Sequence, residues 1–342
     1  MAVATAIAWT GRKKILVFGK GYHGATLSFR SASASHEADN AKSVNLPHEW
    51  VLGTYDDVSK TETILSAIPP ESLAAILVEP MLGSGGTVPR SLPFLRFLRS
   101  YASSHGALLI FDEVLTSCLT YRGLGLKGGI QPDLMTVGKW VGGGMSFGAF
   151  GGRREVMAMF DPRNGFLAHA GTFNKNVLSM AAGCAGCALL SEEKIDQLNE
   201  LGERMKAMVQ DVIADRLAVD ALSSNAVANS HSSGHERSHL SNQTPTTSIQ
   251  HRPSTPQQSK MYISGTGSIL AIHFAPSPLQ TTLQSLFYHH MLSETIYLAE
   301  RGFIALNIEL GLEHVEAFVA ATGRFLDRYK TEILGAEEAC CV

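Results

Sequence analysis

The stretch ALLIFDEV, residues 107–114, decides the fold of this chain. Its first five residues are apolar throughout, which is typical of a strand covered on both faces, as in a parallel sheet. The strand-like runs ILVF (15–18), AAILVEP (74–80) and LMTVGK (134–139) have the same character, while RSLPFLRFLRSYASSHG (90–106) has helical spacing. The alternation of strand, helix and strand predicts an α/β fold, with a mainly parallel sheet and helices on both faces.

The C-terminal part of the chain follows a different pattern. We interpret residues 174–215 as one long helical region, and residues 223–260 as a disordered insertion, because they are polar and bury too little surface to offset the ordering entropy. GTGSILAIHF (265–274) then returns to strand character, and two helical patterns follow. The sequence therefore predicts a large domain over residues 1–190 and a smaller α+β domain over 191–342 that contains the insertion.

Composition and charge exclude several classes of protein. The 342 residues are 45% hydrophobic and 17% charged, with 28 Lys and Arg against 31 Asp and Glu, a formal net charge of −3. We therefore expect neither a nucleic-acid-binding protein nor an acidic disordered one. No apolar run approaches the roughly 18 residues of a spanning helix, so we expect no membrane association.

The cysteines indicate a reducing compartment. The five of them form neither a disulfide framework nor a metal set, so no metal is predicted, and we interpret Cys184 and Cys187 as packing residues of a helix. The first acidic residue is Glu37, and this basic N-terminal composition is similar to that of a mitochondrial transit segment. The strand-like run at 15–18 indicates folded structure instead, and we favour a cytoplasmic over a mitochondrial location.

Asp112 is the first candidate for chemistry, because a carboxylate at the end of a buried strand needs a cation or a strong donor. Ligands bind at the carboxyl ends of strands in open α/β sheets. Residues i and i+2 of a strand face one side, so Asp112 and Val114 would point together toward a flat heteroaromatic ring. A structural role for Asp112, as a helix cap or salt-bridge partner, remains the alternative.

Lys139 and the GYHG turn at 21–24 are the other candidates. Lys139 ends a strand-like run before a glycine run, VGGGMSFGAFGG (141–152), in which we predict no regular element. A lysine in partly apolar surroundings loses its proton more easily, as Schiff-base chemistry requires. Tyr22 follows the first strand and could cover a planar ligand with His23 beside it, although a lone aromatic there is more often a packing residue.

Four motifs together resemble class III aminotransferases, which have the pyridoxal 5'-phosphate (PLP) transferase fold of type I. They are FDEV, the lysine after PDLMTVG (132–138), GGGMSFGAFGG (142–152) and HAGTFNKNVLSMAAG (169–183). The resemblance is greatest to the glutamate-1-semialdehyde aminomutase-like branch and its β-amino acid aminotransferases. It covers the chain apart from the insertion.

The resemblance implies the roles of the cofactor-binding residues. Lys139 would bond to the cofactor aldehyde and shuttle the substrate proton, and Asp112 would pair with the pyridine nitrogen. Val114 and Tyr22 would cover the two ring faces, with His23 alongside.

The resemblance also implies a homodimer with shared active sites. The turn of Gly171 and Thr172 would reach the phosphate in the neighbouring subunit. Arg301 in AERGF would bind the carboxylate of the substrate, unless it is an ordinary surface arginine, and Glu79 would have a supporting polar role in the same cleft.

The expected activity is transamination between an amino acid, with β-amino acids among the candidates, and a 2-oxo acid. One alternative is an aminomutase of the glutamate-1-semialdehyde type. Relatives carry a phosphate-binding segment before the position of Met1, and we expect this chain to be N-terminally truncated relative to them. The other alternative is therefore an inactive fragment that acts as a dimer partner.

Overall fold

The computed structural model describes residues 1–24, 48–163, 165–217 and 260–335. The predicted insertion, apart from residue 260, lies outside the described residues. The strands are β1 (Lys14–Phe18), β2 (Glu49–Gly53), β3 (Leu73–Val78), β4 (Met81–Leu82), β5 (Val88–Pro89), β6 (Leu108–Asp112), β7 (Leu134–Gly138), β8 (Gly148–Gly152), β9 (Met261–Thr266), β10 (Ile269–Phe274) and β11 (Phe303–Ala305). The α-helices are α1 (Ala2–Thr10), α2 (Val58–Ser66), α3 (Leu92–His105), α4 (Leu124–Lys127), α5 (Arg154–Met157), α6 (Val177–Leu189), α7 (Glu192–Leu217), α8 (Gln280–Ser293) and α9 (Leu312–Gly335).

The central sheet has six strands in the order β2-β1-β3-β6-β7-β8. All neighbouring pairs are parallel except β7 and β8, which are antiparallel. The register of β6 and β7 places Asp112 opposite Thr136, three residues before Lys139. The mainly parallel sheet predicted from the apolar strands is confirmed.

Both faces of this sheet are covered by helices. On one face, Phe18 of β1 and Phe111 of β6 pack with side chains of α2 and α3. On the other face, Ile110 of β6 packs with Ala6 of α1 and Val156 of α5. The strands read as continuous apolar runs because both faces are buried.

The C-terminal residues form a second, antiparallel sheet in the order β11-β10-β9. Its core contains Phe274, Phe287 and Phe325 and joins α7, α8 and α9 to the sheet. The antiparallel sheet and its helices agree with the predicted α+β character, while the domain boundary at residue 190 stays a prediction.

Three expectations about elements were wrong. The helical region 174–215 is two helices, because Leu190 leaves helical geometry and the Ser191 hydroxyl accepts the Lys194 N–H at the start of α7. The glycine run 141–152 contains β8, which pairs with β7 over its whole length. Cys184 and Cys187 are exposed and do not fill a core. Among the described helices, none has the length and apolar character needed to cross a bilayer.

Candidate active site

A cleft of about 1120 Å³ lies between the carboxyl-terminal ends of the parallel strands and the antiparallel sheet. This is the edge at which open α/β sheets bind their ligands. Seven of the predicted site residues line the cleft: Tyr22, His23, Glu79, Asp112, Val114, Lys139 and Arg301. Gly171 and Thr172 do not line it; both are exposed in the segment before α6.

Asp112 lies at the end of β6 and is held by three hydrogen-bond donors. The Oδ2 atom accepts from His23 Nδ1 at 2.7 Å, while Oδ1 accepts from Thr136 Oγ1 at 3.0 Å and from the Val114 N–H at 3.1 Å. Burial alone would raise the pKa of Asp112, but the bonds from His23, Val114 and Thr136 outweigh it and hold the pKa below its ordinary value. The cleft therefore holds an ionised carboxylate whose orientation is fixed.

The structure bears on the structural roles that the sequence left open for Asp112. Asp112 caps neither of the helical segments that follow it: the 3₁₀ turn Thr116–Cys118 has no side-chain cap, and α4 begins ten residues after Val114, where Glu113 accepts the Leu124 N–H. Asp112 has an imidazole partner, and it also lines the cleft. Because an ionised carboxylate only accepts hydrogen bonds, His23 donates through Nδ1.

Lys139 follows β7 directly and lines the same cleft. Its φ of 52° lies in the left-handed region, which is unusual for a residue with a side chain. The strand ends here and a short 3₁₀ turn, Lys139–Gly142, begins. Such a conformation at a strand end is typical of functional sites, where the surrounding structure holds it.

Val114 and Tyr22, the residues expected to cover the two faces of the ring, both line the cleft but differ in their surroundings. Val114 packs beside the residue before Lys139, since a Cβ on Gly138 would lie 3.6 Å from Val114 Cγ1. Tyr22 lines the cleft but is exposed, and its backbone N–H donates to Glu79 Oε1 at 2.9 Å. The two residues share one cleft with Lys139 and Asp112.

Arg301 enters the cleft from the antiparallel sheet. Its guanidinium carbon lies 5.0 Å from the centre of the Phe303 ring, and both residues line the cleft. Arg301 therefore supplies a cation to this cleft, and a guanidinium can bind a carboxylate through two hydrogen bonds.

Several lining or supporting residues were missed by the sequence reasoning. Thr136 lies opposite Asp112 only because of the register between β6 and β7, which the sequence does not fix. His169 lines the cleft with its ring 5.8 Å from that of Phe150. Its position in the HAGT motif, two residues before Gly171, was the signal available. Trp140, next to Lys139, donates from its indole N–H to Ser117 Oγ at 2.9 Å.

These residues fit a bound PLP. The ionised Asp112 suits a protonated pyridine nitrogen, and Lys139 places an amine in the same cleft. Met1, Ala2 and Val3, at the start of α1, also line the cleft.

The fold and the cleft together are those of a PLP-dependent transferase of fold type I. A sequence model described as "Aminotransferase class-III" matches residues 1–222, and the chain belongs to this family, whose members depend on PLP.

Three relatives illustrate the similarity. The chain is 37% identical over 336 residues to the β-phenylalanine transaminase of Variovorax paradoxus, covering 95% of this chain and 66% of the relative. A crystal structure of a β-phenylalanine aminotransferase from that organism superimposes with a TM-score of 0.77 at 35% identity, covering 97% of this chain and 68% of that one. A glutamate-1-semialdehyde 2,1-aminomutase of Methanopyrus kandleri is 37% identical over 223 residues, 63% of this chain and 51% of its own length. The chain spans 66% and 51% of the lengths of the two curated relatives.

Proposed function

We propose that this chain is a PLP-dependent transaminase that moves an amino group between an amino acid and a 2-oxo acid. The observation that carries the proposal is the common cleft of Lys139 and Asp112, which end neighbouring strands of the parallel sheet. An amine and an oriented, ionised carboxylate are the two protein groups that this chemistry requires. The similarity to a β-phenylalanine transaminase supports β-amino acids as substrates.

Bound PLP supplies an aldehyde that bonds to amines and a ring that withdraws electrons from the carbon beside the substrate nitrogen. Asp112 would hold the proton on the ring nitrogen, and its bonds with His23 and Thr136 keep the carboxylate oriented. Lys139 accepts a proton from the substrate carbon and returns one as the reaction completes. Val114, which lines the same cleft, would pack on one face of the ring.

Arg301 is the proposed carboxylate-binding residue for the substrate. It lines the same cleft as Lys139, so an amino acid whose carboxylate it bound would have its amine in the cleft that holds the lysine. A guanidinium binds a carboxylate through two parallel hydrogen bonds, which fixes the direction of the substrate. The apolar cleft residues Trp140 and Phe303 suit an aromatic or aliphatic side chain.

The test compares the wild-type chain with Lys139→Ala and with a matched surface variant, Lys127→Ala. Lys127 is exposed at the end of α4 and does not line the cleft. We expect transfer from a β-amino acid to a 2-oxo acid to fall at least ~10²-fold in Lys139→Ala, the low end of what one positioned acid–base group contributes. Lys127→Ala should retain it, and equal activity in all three proteins would contradict the proposal.

An aminomutase is the second candidate, and the Methanopyrus kandleri relative favours it. A transaminase needs an external oxo acid to complete a cycle, whereas a mutase turns over one substrate alone. Incubating the chain with a single amino acid, with and without a 2-oxo acid, separates the two. Turnover that requires the acceptor supports transamination, and isomerisation without it supports the mutase.

The proposed assembly is a homodimer in which Gly171 and Thr172 reach the phosphate site of the partner. Its support is that both are exposed, outside their own chain's cleft, and beside the exposed side chains of Phe173 and Val177. Mixing two single variants tests this. A dimer of one Lys139→Ala subunit and one Thr172→Asp subunit would have one site with both substitutions and one site with neither. Activity that returns on mixing two inactive variants supports the shared site, and its failure to return contradicts it.

If the wild-type chain binds no PLP but joins a longer relative as a dimer, the inactive-partner alternative holds.

The proposed domains are residues 1–190, with the cofactor-binding sheet, and 191–342. The proposed location is the cytoplasm, supported by three free cysteines, Cys118, Cys184 and Cys187, among the described residues. Localisation of a fluorescent fusion to mitochondria would contradict it.

A further inference from the structure

We infer that Glu79 is a positioning residue whose carboxylate fixes the loop that carries Tyr22 and His23. The inference rests on the proposed function, because it assigns Glu79 to the support of the cofactor cleft. It also gives the supporting polar role expected of Glu79 a physical form, contacts of its carboxylate with the backbone of two loops.

Both carboxylate oxygens of Glu79 are engaged with backbone amides. Oε1 accepts the Tyr22 N–H at 2.9 Å, and Oε2 accepts the Gly83 N–H at 3.0 Å. The residue is only 6% exposed, and its backbone carbonyl accepts the Tyr55 hydroxyl at 3.0 Å. A carboxylate held in this way joins two loops, because each of its oxygens accepts a backbone amide from a different one.

The first of these loops follows β1 and holds His23. Residues 20–24 have no helix or strand, and Lys20 has a φ of 66°, so no ladder of a sheet orients them. Glu79 holds the Tyr22 amide, and Asp112 holds the next side chain, His23. The direction of the imidazole toward Asp112 therefore depends on the anchor one residue earlier.

The second loop connects β4 to β5 and contacts the C-terminal antiparallel sheet. A Cβ at Gly83 would lie 2.6 Å from Leu115 Cδ2 and 3.3 Å from Glu79 Oε2, so a side chain there would displace one of these two neighbours. Three residues later the carbonyl of Gly86 accepts the Ser264 hydroxyl of β9 at 2.8 Å. Glu79 thus connects the cleft loop to a segment that is itself fixed to the C-terminal sheet.

The charge of Glu79 matters to this connection. Burial raises its pKa, the bonds from Tyr22 and Gly83 oppose that shift, and the nearby charge of Asp112 adds to it. Gln is a neutral isostere that would turn one acceptor into an amide donor facing an N–H group. Glu79→Gln should therefore release one of the two loops without creating a cavity.

Glu113 offers a matched control. It is also buried, at 1% exposure, and its carboxylate accepts the N–H groups of Leu124 and Gly125, but it does not line the cleft. Both variants, Glu79→Gln and Glu113→Gln, replace a buried carboxylate that holds two backbone amides. Glu113 accepts the Thr116 hydroxyl as well, and only Glu79 holds the loop that carries His23, the imidazole partner of Asp112.

The experiment measures hydrogen exchange of the apo chain and the dissociation constant of PLP for each variant. We expect Glu79→Gln to speed exchange in peptides covering residues 19–24 and 79–87 and to weaken PLP binding about tenfold. Glu113→Gln should lower the melting temperature yet keep wild-type PLP affinity. Glu79→Asp keeps the charge with a shorter reach, and it should give an intermediate loss even if the glutamine variant does not fold.

Wild-type exchange and PLP affinity in Glu79→Gln, or in Glu79→Asp where the glutamine variant does not fold, would overturn the inference and leave the proposed function intact. Equal loss of PLP affinity in both glutamine variants would also overturn it, since the effect would then be general destabilisation. A wild-type chain that binds no PLP would overturn the proposed function itself, and with it this inference.

Discussion

Asp112 is the residue on which the chemistry of the cleft depends. Its position at the end of a strand buried on both faces would favour protonation, and three hydrogen bonds reverse that tendency. Two of them come from side chains on other elements, His23 after β1 and Thr136 on β7. Its ionised state is therefore a property of three neighbouring chain segments, and substitutions at any of them should change it.

Asp112→Asn keeps the shape of the side chain but removes its charge. We expect kcat/KM for transamination to fall ~10²–10³-fold, as when a single preorganised electrostatic group is removed from an active site. Thr136→Val removes one hydrogen bond and leaves the charge, so its effect should be smaller, about 0.5–1.5 kcal/mol. Steady-state kinetics check both, and an Asn variant no slower than the Val variant would refute the assigned role.

The lowered pKa of Asp112 also predicts how stability depends on pH. A carboxyl group whose pKa is lower in the folded than in the unfolded state adds stability above its ordinary value of 3.8, and this is lost as the pH falls through the folded value. The difference in unfolding free energy between wild type and Asp112→Asn should be constant above about pH 5 and shrink on acidification.

Urea unfolding of both proteins at several pH values measures that difference. Glu79 titrates in both proteins, and its raised pKa acts in the opposite direction, so its contribution largely cancels in the comparison. A difference that grows as the pH falls would mean that Asp112 is not held ionised in the folded protein.

At the scale of elements, the turn after Lys139 depends on close contact with α6. A Cβ at Gly143 would lie 2.0 Å from the carbonyl oxygen of Ala182, and one at Gly183 would lie 2.6 Å from that of Val141. Glycines on both sides allow the helix backbone and the turn to touch. This contact holds the turn after Lys139 against α6. The glycines of α6 make the contact, whereas its cysteines, Cys184 and Cys187, are exposed.

Gly143→Ala should destabilise the chain by about 1–3 kcal/mol, because the new methyl group meets backbone that cannot move aside. Gly144→Ala is the control: its φ of 88° is also unfavourable for alanine, but nothing lies within 4 Å of the added Cβ. Thermal unfolding compares the two, and equal losses would show that backbone strain, not the contact with α6, sets the cost.

The sequence predicts the elements whose pattern is local. The strands ending at Val78 and Asp112 were recognisable as continuous apolar runs, and helix α3 between them was recognisable from apolar residues at helical spacing. Strand β8 was missed because its glycines carry no periodic pattern, and only pairing with β7 defines it. The same holds for the site: Lys139 and Asp112 were recognisable as strand-end residues, but the bonds from Glu79 to two loops depend on long-range contacts.

At the scale of the whole molecule, apolar side chains are exposed around the start of α6. Phe166, Phe173, Val177 and Leu178 are all more than half exposed. Their exposure, next to Thr172, is what the proposed dimer would bury. Dimer formation would then bury this surface and bring Gly171 and Thr172 to the active site of the partner in the same step.

Phe173→Asp should convert the dimer to a monomer, since it places a charge in an apolar interface. Tyr297→Asp is the matched control, because Tyr297 is 82% exposed against 81% for Phe173 but does not belong to that surface. Light scattering coupled to size exclusion gives the masses. A dimer that survives Phe173→Asp, or a wild-type monomer, would contradict the proposed assembly.

The most direct test of the central claim is to identify which lysine carries the cofactor. The chain is incubated with PLP, reduced with borohydride to make the linkage permanent, digested and mapped by mass spectrometry. The cleft geometry predicts the added mass on the peptide containing Lys139, and its loss in Lys139→Ala. Modification of another lysine in the wild-type chain, or of none, would contradict the claim that Lys139 and Asp112 form one PLP site.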